Sequence, residues 1–266
     1  MSVKKIGLAL VMMGAMLGGS VASAQENIKE GTVKIAVASN FLATLKALSE
    51  EFTKETGIKV EISNGATGML YAQIKQGAPY DMLFAADAER PKMLAEEGYA
   101  ESDTRFTYVT GKLVAWSPEP EKVSADLSIL KADNPNLQFL AMANPKVAPY
   151  GAAAEIVLNH YGLYDELRAL NKIVQGENIG KTYHYAATRS AQIGMVAKSY
   201  VSNPDKPVGG EYFEIDSALY PPLVQDAVVL TGRNGAETQA FLKFFDSDKA
   251  RQHIEAYGYG LGAKRF

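Results

Sequence analysis

Residues 33–63 decide the fold, and they read VKIAVASNFLATLKALSEEFTKETGIKVEIS. The segment 33–38 is a short apolar run of the kind that forms a buried strand. Over 42–56 the apolar residues recur every three or four positions, which is the period of a helix. Those residues are Leu42, Leu45, Leu48 and Phe52. Gly57 ends the predicted helix, and 59–63 is a second strand. This order predicts two parallel strands with a helix packed against them.

The same alternation continues along the rest of the chain. Further strands are predicted at 81–86, 112–116, 138–143, 193–197 and 226–230. Further helices are predicted at 69–75, 89–97, 151–161, 164–170, 180–187, 236–245 and 249–257. We therefore predict an α/β protein whose sheets are mixed, mostly parallel and flanked by helices.

Two strand-rich halves follow each other without a clean linker between them. This arrangement predicts two lobes joined by more than one chain crossing, which we place near Gly111 and near Pro207. Lobe I would then comprise 25–111 and 208–266, and lobe II would comprise 112–207.

The first 24 residues have the pattern of a secretory signal peptide. Lys4 and Lys5 give a basic start, 6–21 is apolar and uncharged, and Ala-Ser-Ala at 22–24 offers small residues for cleavage. A membrane anchor is the alternative, but the apolar run is shorter than the roughly 20 residues that span a bilayer. We expect cleavage after Ala24 and a mature protein in the periplasm.

Composition excludes several classes of function. The chain contains no cysteine, which excludes disulfides, thiol nucleophiles and thiolate metal sites. It has 27 basic and 30 acidic residues, and loss of Lys4 and Lys5 brings the net charge to about −5. A negative protein is a poor partner for nucleic acid or anionic lipid. An anionic ligand would have to be held by local geometry.

Two strand-to-helix turns are the candidate binding site. Ligands of open parallel sheets bind beyond the carboxyl ends of the strands, where helices begin and their free N–H groups favour an anion. Ser39-Asn40 follows the first strand, and Ala66-Thr67-Gly68 follows the second. Plain N-capping of the helices explains the same residue types, and on pattern alone it is the simpler interpretation.

Enzymatic patterns are weak. The three histidines, His160, His184 and His253, do not have the spacing of a metal site, and no G-x-S-x-G elbow is present. The remaining enzymatic alternative is an exported serine hydrolase with Ser39 as nucleophile, which requires a histidine and a carboxylate nearby. We expect no enzymatic activity and no cofactor.

Several stretches resemble periplasmic molybdate-binding proteins, the capture component of molybdate ABC transporters. They are AVASNF at 36–41, SNGATGMLYAQI at 63–74, GAPYDMLFAAD at 77–87, NP at 144–145, PYG at 149–151, IGMV at 193–196 and YGY at 257–259. Together these stretches extend over nearly all of the chain after the signal peptide, and their order and spacing are specific to the family. The resemblance implies the two-lobed type II periplasmic binding protein fold.

The resemblance also implies a site and its partners. Ser39 and Asn40 match the first contact loop, Thr67 matches a position that is usually serine, Tyr150 matches a contact from the second lobe, and Ile179 would offer its main-chain amide. Ser39 and Thr67 would contact the oxygens of the oxyanion rather than ligate a metal directly. The expected partners are molybdate, tungstate as a second ligand, and the membrane permease of an ABC importer. The protein is expected to be a monomer.

One departure from the family concerns ligand choice. Some members carry an oxyanion-contacting tyrosine where this chain has Ala197. Other tetrahedral oxyanions, such as sulfate, chromate or vanadate, therefore stay as alternatives. Molybdate and tungstate carry no proton near neutral pH, so a site for them needs donors and no acceptors. Hydroxyls, amides and helix N-termini are such donors.

Overall fold

The computed structural model describes residues 31–119, 128–131, 133–204 and 206–265. The predicted signal peptide and its cleavage site lie outside these residues. Within them the strands are β1 (Thr32–Ala38), β2 (Lys59–Gly65), β3 (Met82–Phe84), β4 (Phe106–Gly111), β5 (Leu113–Ser117), β6 (Leu140–Ala143), β7 (Ile173–Gly176), β8 (Ile193–Ala197), β9 (Glu211–Glu214), β10 (Leu223–Val229) and β11 (Gly260–Leu261).

The helices in the same part of the chain pack on both sheets. They are α1 (Leu42–Thr56), α2 (Thr67–Lys75), α3 (Glu89–Glu96), α4 (Pro149–His160), α5 (Leu163–Ala169), α6 (Ile179–Ala187), α7 (Lys198–Val201), α8 (Ala236–Phe245) and α9 (Asp248–Ala256). A 3₁₀ turn at Ser39–Phe41 precedes α1. No helix in the described ranges is long and apolar enough to cross a membrane.

The strands form two mixed sheets flanked by helices, as predicted, but the prediction of mostly parallel sheets is wrong. Among the described residues four strand pairings are parallel and five are antiparallel, because β10 and β5 each run antiparallel to both of their neighbours. The first sheet has the order β11-β4-β10-β3-β1-β2, and the second has the order β7-β6-β8-β5-β9. Strand β1 is parallel to β2 and β3, whereas β10 is antiparallel to β3 and β4. In the second sheet β6 is parallel to β7 and β8, and β5 is antiparallel to β8 and β9.

The chain passes between the sheets where β4 gives way to β5, next to Gly111, and returns between β9 and β10. The sequence places the return near Pro207, before β9. Strand β9 hydrogen-bonds to β5, because its residues pair with Val114 to Ser117. Judged by strand pairing, β9 belongs to the second sheet, so the chain returns to the first sheet after Glu214. The exact lobe boundaries stay a prediction.

Helix α1 shows why the opening stretch folds as it does. Leu45, Leu48 and Phe52 are fully buried on one face of the helix. Gly57 ends the helix in the left-handed region, with φ of 75°, and its N–H donates to Thr53 O. The parallel register then aligns β2 with β1, from Thr32 opposite Lys59 to Ala38 opposite Gly65. Both strands end at one edge, so the turns that follow them lie side by side.

An aromatic cluster fills the core of the first sheet. Phe41 lies between Phe84 and Tyr108, with ring centroids 6.1 and 4.9 Å away, and Phe245 packs on all three. Phe41 follows Ser39 and Asn40 directly, so burial of its ring holds the first turn against the sheet.

Candidate functional site

A small cavity lies where the carboxyl ends of β1 and β2 face residues that follow β6 and β7. Its lining residues are Ala38, Ser39, Asn40, Gly65, Ala66, Thr67, Ala86, Ala148, Pro149, Tyr150 and Ile179. All five residues predicted as the binding site are among them. The structure thus brings together side chains from parts of the chain more than a hundred residues apart.

Four helical segments begin at this cavity. They are the 3₁₀ turn at Ser39, α2 at Thr67, α4 at Pro149 and α6 at Ile179. The first turn of each helix carries N–H groups without intrahelical partners and the positive end of the helix dipole. Convergence of four such ends makes the cavity a good environment for an anion without any formal positive charge.

The N-capping interpretation of Ser39 and Thr67 is wrong. The N-cap residues of the first turn and of α2 are Ala38 and Ala66, and neither segment has a side-chain cap. Thr67 Oγ1 instead accepts a hydrogen bond of 2.9 Å from the N–H of Ala86. The hydroxyl hydrogen of Thr67 therefore remains available to an acceptor in the cavity.

Ser39 is held by the second strand. Its hydroxyl donates to Gly65 O at 3.1 Å and accepts from Asn64 Nδ2 at 3.3 Å. Both bonds are long, which indicates that the hydroxyl can redirect its hydrogen toward a stronger, charged acceptor.

Asn40 uses its side-chain donors inside the protein. Its Nδ2 donates to Gln225 Oε1 at 2.8 Å and to Tyr259 Oη at 3.1 Å. Its Oδ1 is buried and has no hydrogen-bond partner among the described residues. The Tyr259 hydroxyl in turn donates to the main-chain oxygen of Asn40 at 2.7 Å. These bonds fix the turn after β1.

Tyr150 comes from the other side of the cavity. It lies in the first turn of α4 and is 1% exposed. Its hydroxyl accepts from Gln225 Nε2 at 3.0 Å. Burial raises the pKa of Tyr150 well above its ordinary value, so the group stays protonated and can act as a donor.

Ile179 begins α6, whose N-cap is Asn178. The Asn178 side chain accepts from Lys181 N at 3.0 Å. The side chain of Ile179 is buried. Ile179 lines the cavity at the first position of α6, where the main-chain N–H has no intrahelical partner. The contact through this amide that the resemblance implies stays a prediction.

Besides the bond from Gln225 to Tyr150, further hydrogen bonds connect the two sides around the cavity. The Tyr200 hydroxyl donates to Ser39 O at 2.7 Å, Ser199 Oγ donates to Asn40 O at 2.9 Å, and the N–H of Gly68 donates to Val147 O at 2.9 Å. The structure is therefore in a closed arrangement.

Tyr200 is also the end of an aromatic stack. Its ring lies 4.7 Å from that of Tyr183, and Tyr183 lies 5.0 Å from Trp116. Ala197, the position that is tyrosine in some relatives, is fully buried at the end of β8 and does not line the cavity. Tyr200 contacts the first turn from the following helix instead.

Comparison with known proteins agrees with this geometry. A family model described as "Bacterial extracellular solute-binding protein" matches residues 33–260. The chain belongs to this family. Members bind solutes outside the cytoplasm and are not enzymes, which confirms two expectations from the sequence.

Two curated relatives are similar over most of their length. The "Molybdate-binding protein ModA" of Rhodobacter capsulatus is 43% identical over 230 residues, covering 86% of this chain and 88% of the relative. The protein of the same name from Azotobacter vinelandii is 41% identical over 253 residues, covering 95% and 96%. The solved "Azotobacter vinelandii periplasmic molybdate-binding protein" matches with a TM-score of 0.80 and 37% identity, covering 86% of this chain and 99% of that one. The predicted two-lobed periplasmic binding protein fold is confirmed.

The cavity of this solute-binding protein carries no ionisable side chain other than Tyr150 among its lining residues in the described ranges. The described residues also contain no cluster of three or more histidine, aspartate or glutamate side chains that could hold a metal. The site is thus suited to hold an oxyanion by hydrogen bonds.

The hydrolase alternative has no support in the geometry. The partners of the Ser39 hydroxyl are Gly65 O and Asn64 Nδ2, and none of the three histidines lines the cavity. His160 and His184 are exposed on α4 and α6, and His253 packs against Tyr257. A nucleophilic serine requires a base at hydrogen-bond distance.

A larger, open depression lies elsewhere on the solute-binding protein. Its lining includes Lys146, Glu155 and Arg168, and all of its lining residues fall between 144 and 175. Since it is formed from one side only and mixes opposite charges, it does not have the properties of a site closed between two lobes.

Sequence reasoning missed the residues that support the contacts, chiefly Gln225, Tyr259 and Tyr200. Gln225 and Asp226 are two polar residues inside the otherwise apolar strand β10, and both are buried. Adjacent polar residues in a buried strand were the signal available, since such groups need specific partners. Asp226 pairs with Arg105 at 2.6 Å, whereas Gln225 faces the site.

Proposed function

We propose that this solute-binding protein captures molybdate, and tungstate as well, and delivers it to the membrane permease of an ABC importer. The observation that carries the proposal is the small cavity at four helix N-termini, lined by hydroxyls and amides and free of formal charge. A fully deprotonated dianion needs only donors, and this lining supplies them. The names of the two curated relatives support the choice of molybdate.

The proposed contacts come from both lobes. Ser39, Asn40 and Thr67 would contact the oxyanion from lobe I, and Tyr150 and Ile179 from lobe II. Ser39 and Thr67 donate hydroxyl hydrogens, and Tyr150 donates its phenol hydrogen. Asn40, whose side-chain hydrogens are given to Gln225 and Tyr259, and Ile179 each donate a main-chain N–H from a first helical turn. Because ligand bridges the lobes, binding favours the closed arrangement over the open one.

Further parts of the proposal concern the mature protein. Residues 1–24 act as a signal peptide that is cleaved after Ala24, which leaves a periplasmic protein. The mature protein works as a monomer, without nucleic acid. Membership of a family of extracellular solute-binding proteins supports the location outside the cytoplasm.

The deciding experiment is isothermal titration of residues 25–266 with molybdate, tungstate, sulfate and phosphate. We expect tight binding of molybdate and tungstate and much weaker binding of the other two. Ser39→Ala should weaken molybdate binding by about one to two decades, since a hydrogen bond to a charged group contributes roughly 1.5–3 kcal/mol.

The matched control is Ser102→Ala, at an exposed serine in another 3₁₀ turn. It should leave binding unchanged. Tight binding of sulfate, phosphate or an organic solute without binding of molybdate would overturn the proposal. The sulfate result also decides between molybdate and sulfate, one of the oxyanions left open at Ala197, and the same titration with chromate and vanadate decides the other two.

A further inference from the structure

Gln225 lies beside the cavity without lining it. Its side chain is fully buried on β10, at the irregularity between Gln225 and Asp226 in the pairing of β10 with β4. A buried primary amide requires partners for both of its ends. The partners of Gln225 belong to the two sides of the proposed site.

The oxygen of Gln225 faces lobe I. Oε1 accepts from Asn40 Nδ2 at 2.8 Å, and the Tyr108 hydroxyl lies 3.1 Å away, with its hydrogen shared with Ala85 O at 2.9 Å. Tyr259 determines which groups donate in these bonds. Its hydroxyl hydrogen is already donated to the main-chain oxygen of Asn40, so toward the Asn40 side chain it can only accept. Tyr259 then accepts from Asn40 Nδ2, which keeps the amide nitrogen of Asn40 turned toward Gln225.

The nitrogen of Gln225 therefore faces Tyr150. Nε2 donates to the Tyr150 hydroxyl oxygen at 3.0 Å. Gly111 gives both groups their space, since a Cβ at that position would overlap the Tyr150 hydroxyl and lie 2.5 Å from Gln225 Nε2. Within the described residues the Tyr150 hydroxyl is paired only as an acceptor, so its own hydrogen can be donated into the cavity.

We propose that Gln225 is a specificity-determining positioning residue, which orients the Tyr150 hydroxyl as a donor toward the bound oxyanion. The chain of bonds runs in one direction, from Asn40 through Gln225 to Tyr150 and then into the cavity. A site whose tyrosine can only donate favours an oxyanion without a proton. A site whose tyrosine offers a lone pair instead accommodates a protonated oxyanion such as hydrogen phosphate. This inference rests on the proposed function and adds a cause for selectivity.

The test is the near-isosteric Gln225→Glu. A carboxylate only accepts hydrogen bonds, so the Tyr150 hydrogen would turn toward Glu and leave the tyrosine lone pair facing the cavity. The donors of Asn40, Tyr108 and Tyr150 around the carboxylate favour its ionised form. Molybdate affinity, measured by isothermal titration at neutral pH, should fall by about one to two decades. The ratio of molybdate to phosphate affinity should fall by at least about tenfold.

Matched variants separate orientation from charge and from folding. Gln239→Glu makes the same charge change on the exposed face of α8 and should alter neither affinity nor selectivity. Gln225→Met removes both ends of the amide without adding an acceptor. It should weaken molybdate binding by only about 2- to 10-fold and lower the preference for molybdate over phosphate less than Gln225→Glu does, because the Tyr150 hydroxyl becomes free rather than reversed. It also tests the inference if Gln225→Glu does not fold.

Tyr150→Phe supplies the remaining test, because Gln225 is proposed to act through the tyrosine hydroxyl. In the double variant Tyr150→Phe/Gln225→Glu the two losses of affinity should not add. Additive losses, an unchanged molybdate-to-phosphate ratio in Gln225→Glu, or full affinity in Gln225→Met would each overturn the inference. Wild-type titration decides the proposed function separately. If the wild type prefers another oxyanion, the same ratios are taken for that ligand, and if it binds none, both proposals are rejected.

Discussion

Replacement of Thr67 by valine should separate the contribution of its hydroxyl to binding from its contribution to folding. Valine keeps the shape of threonine and removes only the hydroxyl. Thr67 is 1% exposed at the start of α2, and its Oγ1 accepts from the N–H of Ala86 at 2.9 Å. The hydroxyl therefore acts as an acceptor within the protein and as a proposed donor to the oxyanion.

The expected loss of binding free energy and the expected loss of folding stability can be estimated separately. Loss of a hydrogen bond to a dianion should cost roughly 1.5–3 kcal/mol of binding, which is about a 10- to 150-fold weaker affinity. The unpaired, buried N–H of Ala86 should lower the free energy of unfolding by roughly 1–3 kcal/mol. Thr67→Ser keeps both hydrogen bonds, and its lost methyl group should cost only about 1 kcal/mol of stability.

The assay is titration with molybdate, combined with urea unfolding of the ligand-free protein. Thr238→Val is the matched control, since Thr238 is a buried threonine on α8 whose hydroxyl donates to Arg233 O at 2.8 Å. It should lower stability and leave affinity unchanged. If Thr67→Val folds less stably but binds molybdate as tightly as the wild type, Thr67 only anchors α2 and the proposed contact is wrong.

Three more predictions follow from the geometry. Gly111→Ala should weaken molybdate binding by about a decade or more, because its Cβ displaces the Tyr150 hydroxyl, whereas Gly209→Ala, with open space around the added carbon, should bind normally in the same titration. Burial raises the pKa of Tyr108 and Tyr150, so above about pH 10 the unfolded chain releases protons that the native protein keeps. The free energy of unfolding, measured with urea, should then fall by about 1.4 kcal/mol per tyrosine for each pH unit, and a flat profile would contradict the assigned burial. Molybdate should reduce the radius of gyration in small-angle scattering as the lobes close, and an unchanged radius would instead indicate a rigid, preformed site.

The sequence predicts the elements that have a strong period and clear ends. Helix α1 was expected over 42–56 and is found there, and α8 was expected over 236–245 and is found there. Two helices of the site begin two residues earlier than predicted, α2 at Thr67 and α4 at Pro149. Their first turns are short and polar or proline-bearing, so hydrophobic periodicity does not detect them.

Two strands that escaped prediction, β4 and β9, pair with distant parts of the chain. Strand β4 joins β10 and β11, and β9 joins β5, nearly a hundred residues away. Short strands of mixed composition are stabilised by such partners rather than by local preference. The same reason applies to the site. The family resemblance indicated the residues that line the cavity, but it did not indicate Gln225. Its hydrogen bonds to Asn40 and Tyr150 become visible only when the fold places β10 between them.

The stacked rings of Trp116, Tyr183 and Tyr200 give this protein a built-in optical reporter. Trp116 is the sole tryptophan of the chain, so its fluorescence has a single origin. The stack ends at the hydroxyl of Tyr200, which bonds across the cleft to the oxygen of Ser39. If the lobes separate on release of the solute, as proposed, we expect that bond to break and the rings beneath it to lose a restraint. The emission of one native indole can therefore follow capture and release of the solute in real time, without any attached dye.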